Sequence, residues 1–227
     1  MNTPNYDKLL LATIDQLKES NAKPKLLVHV CCAPCTTYCL TQLLEAFSVA
    51  LYYANDNIYP ESEWNKRLIE LEKLASLIEK GEYENFAACK IELVAPKYSP
   101  QNFACAAKGL EGEIEGGGRC TKCFEMRLTE TRDYALANGF DYFATTLTVS
   151  PYKNSRLLNE IGTSLQKENL LWLPADFKKR NGYQESIALS TKYGLYRQHY
   201  CGCEYSLGNL TERTQQRRMP KEKDMQR

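Results

Sequence analysis

One doubly wound α/β domain is the fold this sequence predicts, with a mostly parallel five-stranded sheet, helices on both faces and an added N-terminal helix. Three observations carry that prediction. The stretch Leu26-Leu27-Val28-His29-Val30 is short and almost continuously apolar, the pattern of a strand buried on both faces of a parallel sheet. Similar short runs recur along the chain and alternate with helical patterns, which is the signature of βαβ units. A chain of 227 residues, 43% of them hydrophobic, is long enough for one full core, and its length favours a single domain over two.

Taken in order, residues 5–20 carry Leu9, Leu10, Thr13 and Leu17 at helical spacing, with Pro4 where a first turn tolerates proline. The strand at 26–30 runs into Cys31-Cys32-Ala33-Pro34-Cys35, and Pro34 favours a break there. Adjacent cysteines within a strand would face opposite ways, so Cys31 and Cys32 reach one site only where strand gives way to loop. A helix over 36–47 and a strand over 48–54 follow, then the turn residues Asn55-Asp56-Asn57-Ile58-Tyr59-Pro60. From Glu61 a long helix places Trp64, Leu68, Leu71, Ala75 and Ile78 on one core-facing stripe, which leaves Trp64 a packing residue. A third strand is predicted over 87–94, ended by Pro96, and a short helix over 99–108. The glycines of 109–118 permit close approach of backbone to whatever sits beside that loop. A helix over 119–138 stops at Gly139, and a fourth strand over 140–147 leads to Thr148-Val149-Ser150-Pro151-Tyr152-Lys153-Asn154-Ser155. Helix 153–167, strand 170–174 and helix 186–193 complete a Rossmann-like or HUP-like alternation over residues 1–210. The charged, apolar-poor stretch 211–227 reads as a disordered tail.

Lys and Arg number 29 against 28 Asp and Glu, a formal net charge of +1, so no global charge excess advertises nucleic acid, although a local basic face can still bind it. The N-terminal residues lack the basic, apolar and small-residue order of a signal peptide, and no apolar run is long enough to span a bilayer. The expected location is the cytoplasm. In that reducing compartment ten cysteines argue for metal ligation or redox chemistry rather than a disulfide framework. Cys39, Cys89 and Cys105 stand alone and are expected to be small buried apolar residues. The other seven fall in three groups: Cys31, Cys32 and Cys35; Cys120 and Cys123; Cys201 and Cys203.

The first group lies where open α/β sheets keep their ligands, beyond the carboxyl ends of the strands. Cys120 and Cys123 open a helix, one turn apart on a face shared with Arg127, and the helix N-terminus with Arg119 and Lys122 favours thiolate there. A thioredoxin-like dithiol would instead follow the first strand. Joined with Cys31 and Cys32, the pair makes four thiolates, enough for a structural zinc or a [4Fe–4S] cluster. The count does not choose between them. The surplus of Cys35, Cys201 and Cys203 points to a reactive centre rather than one closed zinc site. Cys201-Gly202-Cys203 suits either a strained, easily reduced disulfide or joint ligation of a second metal. His29 sits inside a buried strand and reads as a core histidine; His199, beside Cys201, is the likelier participant. Tyr152, Tyr196 and Tyr200 lie near these motifs, where a phenol can donate a proton or stack on a base. No G-x-x-x-x-G-K-[ST] loop is present, so ATP binding has no support in the sequence.

In combination these motifs resemble the QueH-type, cobalamin-independent epoxyqueuosine reductases. The resemblance rests on His29-Val30-Cys31-Cys32-Ala33-Pro34-Cys35, on Gly109-Leu110-Glu111 with Glu115-Gly116-Gly117 and Arg119-Cys120-x-x-Cys123-Phe124-x-x-Arg127-Leu128, on Thr146-Leu147-Thr148-x-Ser150-Pro151-x-Lys153-Asn154, on Asp176-Phe177-Lys178-Lys179, and on Tyr196-Arg197-Gln198-x-Tyr200-Cys201-Gly202-Cys203-x-x-Ser206. It implies reduction of epoxyqueuosine to queuosine in tRNA, the last step of queuosine biosynthesis, with the epoxide oxygen removed by two electrons and two protons and released as water. It also implies a [4Fe–4S] cluster on Cys31, Cys32, Cys120 and Cys123. A second iron, or a redox-active pair, falls to Cys201 and Cys203, with Cys35 available as a further ligand. Neither ATP nor cobalamin is expected. The partners would be tRNA carrying epoxyqueuosine and an external donor of the ferredoxin or flavodoxin kind. Lys153, Lys178, Lys179 and Arg197 are assigned to tRNA phosphates, and Tyr152 and Tyr200 to the extruded base.

Two other classes share part of this pattern. A cluster-dependent tRNA thiolation enzyme would share the sheet and the thiols, but should carry an ATP-binding loop after the first strand. A non-enzymatic zinc module that binds nucleic acid would share the C-x-x-C, and would hold zinc without acid-labile sulfide.

Overall fold

A computed structural model describes residues 4–208, so the expected charged tail at 211–227 lies outside the described residues. Five strands, β1 (Lys25–His29), β2 (Ser48–Tyr52), β3 (Glu92–Val94), β4 (Tyr142–Thr145) and β5 (Leu171–Trp172), form one sheet in the order β3-β2-β1-β4-β5. Every pairing is parallel, with Leu26 opposite both Val49 and Tyr142. The chain steps outward from β1 to β3, then returns to lay β4 on the other side of β1. The carboxyl ends of β1 and β4 therefore flank the point where the winding reverses, the usual seat of a ligand in such sheets.

The two sheet faces carry separate cores, because alternate residues of a strand point opposite ways. Leu26, Val28 and Val30, with Val49, Leu51 and Tyr53, meet α1 (Tyr6–Glu19), α2 (Ala33–Leu43), α3 (Glu61–Glu79) and α7 (Gly182–Lys192). Leu27, Ala50, Tyr52 and Phe143 meet α5 (Gly118–Ala137) and α6 (Ser155–Leu165). A short α4 (Pro100–Ala107) packs against α5 near its start. Trp64 is a core residue as expected, its ring 5.1 Å from that of Tyr53 and 5.4 Å from that of Tyr98.

Several expected boundaries move. α2 begins at Ala33 rather than at 36, because the fixed φ of Pro34 suits a first helical turn and the Cys32 side chain caps it, accepting from the Cys35 N–H at 3.4 Å. The strand ends at His29, Cys31 lies in a bend and Cys32 is the extended cap of α2 (φ −170°, ψ 155°), so both cysteines fall where strand gives way to loop, as expected. The third strand keeps only three residues of the expected 87–94, since β3 is a sheet edge pairing with β2 alone. The fourth strand ends at Thr145 and tightens into a 3₁₀ turn (Thr146–Val149). α6 starts after its Asn154 cap rather than at 153, and α7 starts at Gly182 rather than at 186. The buried seam of α1 runs through Leu10 and Ile14, while Leu9 is 44% exposed. Cys39 is buried as expected; Cys89 and Cys105 are exposed, Cys105 because α4 turns Phe103 and Ala107 inward instead.

Candidate active site

Beyond His29 the strand delivers a close group of thiols. The sulfurs of Cys31, Cys32 and Cys35 all lie within 4.8 Å of one another, with 3.7 Å between the first two. Cys31 and Cys32 come from the bend and helix cap that follow β1, and Cys35 from the first turn of α2. Hydrogen bonds from Cys32 and Cys35 hold the Cys31 thiol well below its ordinary pKa, against the effect of burial. Burial pushes Cys32 up to about 12, and the neighbouring Cys31 and Cys32 hold Cys35 well above the usual thiol range. Of the three, only the Cys31 sulfur is favoured as thiolate. A bound cation is what would let more than one of them ionise.

The second set of thiols gathers next door. Cys120 and Cys123, a turn apart at the start of α5, line a cavity of about 100 Å³ together with Cys201 and Cys203. A larger cavity of about 270 Å³ is lined by Cys31 and Cys35, by Ser150, and by the strap Arg197-Gln198-His199-Tyr200-Cys201. Glu115, Tyr152, Lys153 and Cys201 border both cavities, so the two adjoin. All seven motif cysteines are thus in one neighbourhood and all are free thiols. Cys31 and Cys32 sit with Cys35, while Cys120 and Cys123 share a cavity with Cys201 and Cys203. Burial raises the pKa of Cys120 and of Cys203, and pushes Cys123 up to about 12.

A buried cation, Arg127, and a partly buried one, Lys153, lie among these sulfurs. Arg127, 2% exposed, donates through Nε to His29 Nε2 at 3.2 Å, through Nη1 to Cys123 Sγ at 3.9 Å, and through Nη2 to Asn55 Oδ1. Burial works against the Lys153 ammonium, but Cys201, Cys31 and Cys35 outweigh it and hold its pKa above the ordinary lysine value. Among the described residues neither cation has a carboxylate partner within salt-bridge distance. Unpaired buried cations are costly unless an anion faces them. Sulfur donors flanked by such cations fit a thiolate-bound metal centre, whose thiolates supply that negative charge.

The loop carrying Cys201 is clamped from outside. Arg67, 1% exposed on α3, pairs with Glu63 at 2.8 Å and donates to the Cys201 carbonyl at 3.1 Å. Tyr200 Oη donates to the Tyr59 carbonyl at 2.6 Å, and the Tyr59 N–H to the Gly202 carbonyl at 2.8 Å. Gly202 has φ +130°, and a Cβ there would sit 3.0 Å from Arg67 Nη1, so only glycine suits the turn between the two cysteines. On the other side, Arg119 fixes the glycine loop by donating to the Leu110 and Glu111 carbonyls at 3.1 and 2.8 Å.

The remaining expected residues divide. Lys153 lies among the thiols rather than out on a phosphate-binding surface. Lys178 is engaged internally, donating to the Lys153 carbonyl at 2.9 Å with Asp176 at 3.7 Å, and Lys179 is exposed. Arg197 lies 5.2 Å over the Tyr183 ring, and its Nη1 is buried without a partner. Tyr152 is 79% exposed at the mouth, and Tyr200 is partly buried in the wall of the larger cavity. His29 is the core histidine expected. Burial, then Arg127, lowers its pKa to about 3; its Nε2 lies 3.2 Å from both Arg127 Nε and the Ala54 carbonyl, and its Nδ1 2.8 Å from Thr145 Oγ1. His199 is exposed and lines the larger cavity.

A model of the family described as epoxyqueuosine reductase QueH matches residues 26–209, which spans the sheet and every cysteine group. The chain belongs to the QueH family. Among its curated relatives, epoxyqueuosine reductase QueH of Staphylococcus epidermidis is 42% identical over 205 residues, covering 89% of this chain and 84% of the relative. The Streptococcus pyogenes QueH is 39% identical over 203 residues (89% and 78%), and that of Thermotoga maritima 34% over 186 residues (80% and 89%). Within this QueH chain, sequence reasoning gave no role to Arg67, Asn55, Glu115, Gln198 or Tyr183. Arg67 had a visible signal, an arginine one position from the apolar stripe of α3. Asn55 had none, because a turn asparagine and one that orients a buried guanidinium look alike in sequence.

Proposed function

We propose that this chain reduces epoxyqueuosine to queuosine in tRNA, the final step of queuosine biosynthesis. The observation that carries the reading is that six of the seven motif cysteines line two adjoining cavities at the carboxyl ends of β1 and β4, with the seventh, Cys32, buried against Cys31 and Cys35 behind them. Cys31, Cys32, Cys120 and Cys123 are assigned to a [4Fe–4S] cluster. Cys201 and Cys203, with Cys35, are assigned to a second iron or to a redox-active dithiol. When bound, these groups supply electrons singly and a Lewis acid for an otherwise poor leaving oxygen.

The chain's own part is binding, positioning and proton supply. Loss of the epoxide oxygen breaks both of its C–O bonds, leaves a carbon–carbon double bond, and consumes two electrons and two protons to give water. The Lys153 ammonium borders both cavities and is the cation best situated to meet negative charge as it develops on that oxygen. Arg127 donates to His29 and to Asn55, which hold its positive charge fixed behind the thiols. Lys179 and Arg197 are assigned to tRNA phosphates, and Tyr152, with Tyr183 and Tyr200 in the cavity wall, to stacking on the extruded base. An external donor of the ferredoxin or flavodoxin kind supplies the electrons.

The test of the metal assignment is anaerobic purification followed by iron, zinc and sulfide analysis. Iron with acid-labile sulfide and visible absorbance is expected. Zinc alone, without sulfide, would refute the assignment.

A further inference from the structure

One residue of the cavity wall touches a motif sulfur directly and has no part in the reading so far. Gln198 donates from Nε2 to Cys32 Sγ at 3.0 Å, and its Oε1 is buried without a partner. The same sulfur accepts the Cys35 backbone N–H at 3.4 Å. Cys32 is 1% exposed, so bulk water does not compete for it. A neutral thiol is a weak acceptor, whereas a sulfur carrying negative charge makes the stronger, charge-assisted kind of hydrogen bond. The backbone on either side of Gln198 is also held in place. Tyr196, two residues before it, donates its N–H to Glu70 at 2.9 Å and its hydroxyl to Glu63 at 3.1 Å. Cys201, three residues after it, is held through its carbonyl by Arg67.

We propose that Gln198 is a positioning residue whose N–H···S bond to Cys32 raises the reduction potential of the metal centre that Cys32 ligates. The inference rests on the ligand assignment made above. Adding an electron to such a centre increases the negative charge on its ligand sulfurs, so a fixed donor stabilises the reduced form more than the oxidised form. The effect makes the centre easier for an external donor to reduce. It also ties the strap that carries Cys201 to a ligand of the first thiol group.

The experiment is a redox titration of the anaerobically reconstituted full chain, followed by electron paramagnetic resonance and visible absorbance, on the wild type, Gln198→Leu, Gln198→Glu and Cys32→Ser. Gln198→Leu removes the donor and should lower the equilibrium constant for reduction about tenfold, ~59 mV for a one-electron couple. Gln198→Glu keeps the shape but turns a carboxylate oxygen toward the sulfur, and should lower it further. Iron and sulfide content should match the wild type in both. A midpoint unchanged in Gln198→Leu and Gln198→Glu, with full iron and sulfide, overturns the role of Gln198 and leaves the Cys32 assignment standing. A wild type without a reducible iron–sulfur signal, or a Cys32→Ser variant that keeps the signal intact, overturns both. If Gln198→Leu loses the cluster, the near-isosteric Gln198→Glu decides; loss in both makes Gln198 a structural residue and overturns the proposal.

Discussion

Replacing Arg67 by alanine should destabilise the fold by about 4 kcal/mol, and the figure follows from what the guanidinium touches. Its ion pair with Glu63 is buried, with side-chain exposures of 1% and 11%. Removing one partner of a buried pair costs roughly 3–5 kcal/mol, because the other charge is left behind. Glu63 keeps the Tyr196 hydroxyl at 3.1 Å, which puts the loss at the lower end, about 3 kcal/mol. The Cys201 carbonyl loses its 3.1 Å donor, and an orphaned buried acceptor adds about 1 kcal/mol. For a chain of this size each kcal/mol moves the melting temperature by roughly 2–4 °C, so a fall of about 8–16 °C is expected. Urea titration by circular dichroism, run anaerobically, should show a lower midpoint at an unchanged slope. Arg67→Lys should recover part of the loss, since it restores the charge but not the reach to the Cys201 carbonyl. A loss below about 1 kcal/mol in Arg67→Ala, the scale of a surface pair, would refute the clamp.

Three further outcomes follow from the same geometry. Cys120→Ser or Cys123→Ser should lose most of the iron and sulfide, whereas Cys89→Ser, an exposed thiol that lines neither cavity, should retain them; full cluster content in the first two would break the ligand assignment. The double replacement of Cys201 and Cys203 by serine should abolish turnover while leaving most of the cluster absorbance, and retained turnover would make the pair incidental. Burial raises the pKa of Glu130 against the hydrogen bond from Tyr52, so the folded state carries a penalty once that carboxyl is ionised. For an acid raised on folding, stability falls as pH rises from the ordinary carboxylate value through the folded one, and the penalty is complete above it. Glu130→Gln should therefore be stabilising at pH 7 with the gain vanishing in acid; urea midpoints at both ends of that range check it.

The alternation of strands and helices was legible because Leu26, Val28, Val49 and Leu51 are apolar runs that no surface element would carry. The strand order was constrained only by the general habits of such sheets. Edge effects were not legible at all: residues 87–91 have strand-like composition, but only three residues beyond them find β2 to pair with. For the site, clustering of cysteines in sequence marked the right neighbourhood, since strand ends and helix starts converge in a doubly wound sheet. What spacing cannot give is the partition of sulfurs within that neighbourhood. Cys35 joins Cys31 and Cys32 because the helix starts at Ala33, directly after Cys32, with Pro34 in its first turn. Lys153 illustrates a second limit. A lysine in a polar loop reads as surface, and only the packing of that loop against the Cys201 strap turns it inward among thiols.

The measurement that bears most directly on the central claim is conversion of tRNA carrying epoxyqueuosine by the anaerobically reconstituted chain with a one-electron reductant, read by nucleoside analysis and repeated across a salt series. Queuosine, lighter by one oxygen, should appear without cobalamin or ATP. The free nucleoside should be a poorer substrate, and tRNA binding should weaken as salt rises, because phosphate contacts at residues such as Lys179 and Arg197 release counterions. An epoxide left unchanged by protein with its iron and sulfide in place would contradict the account.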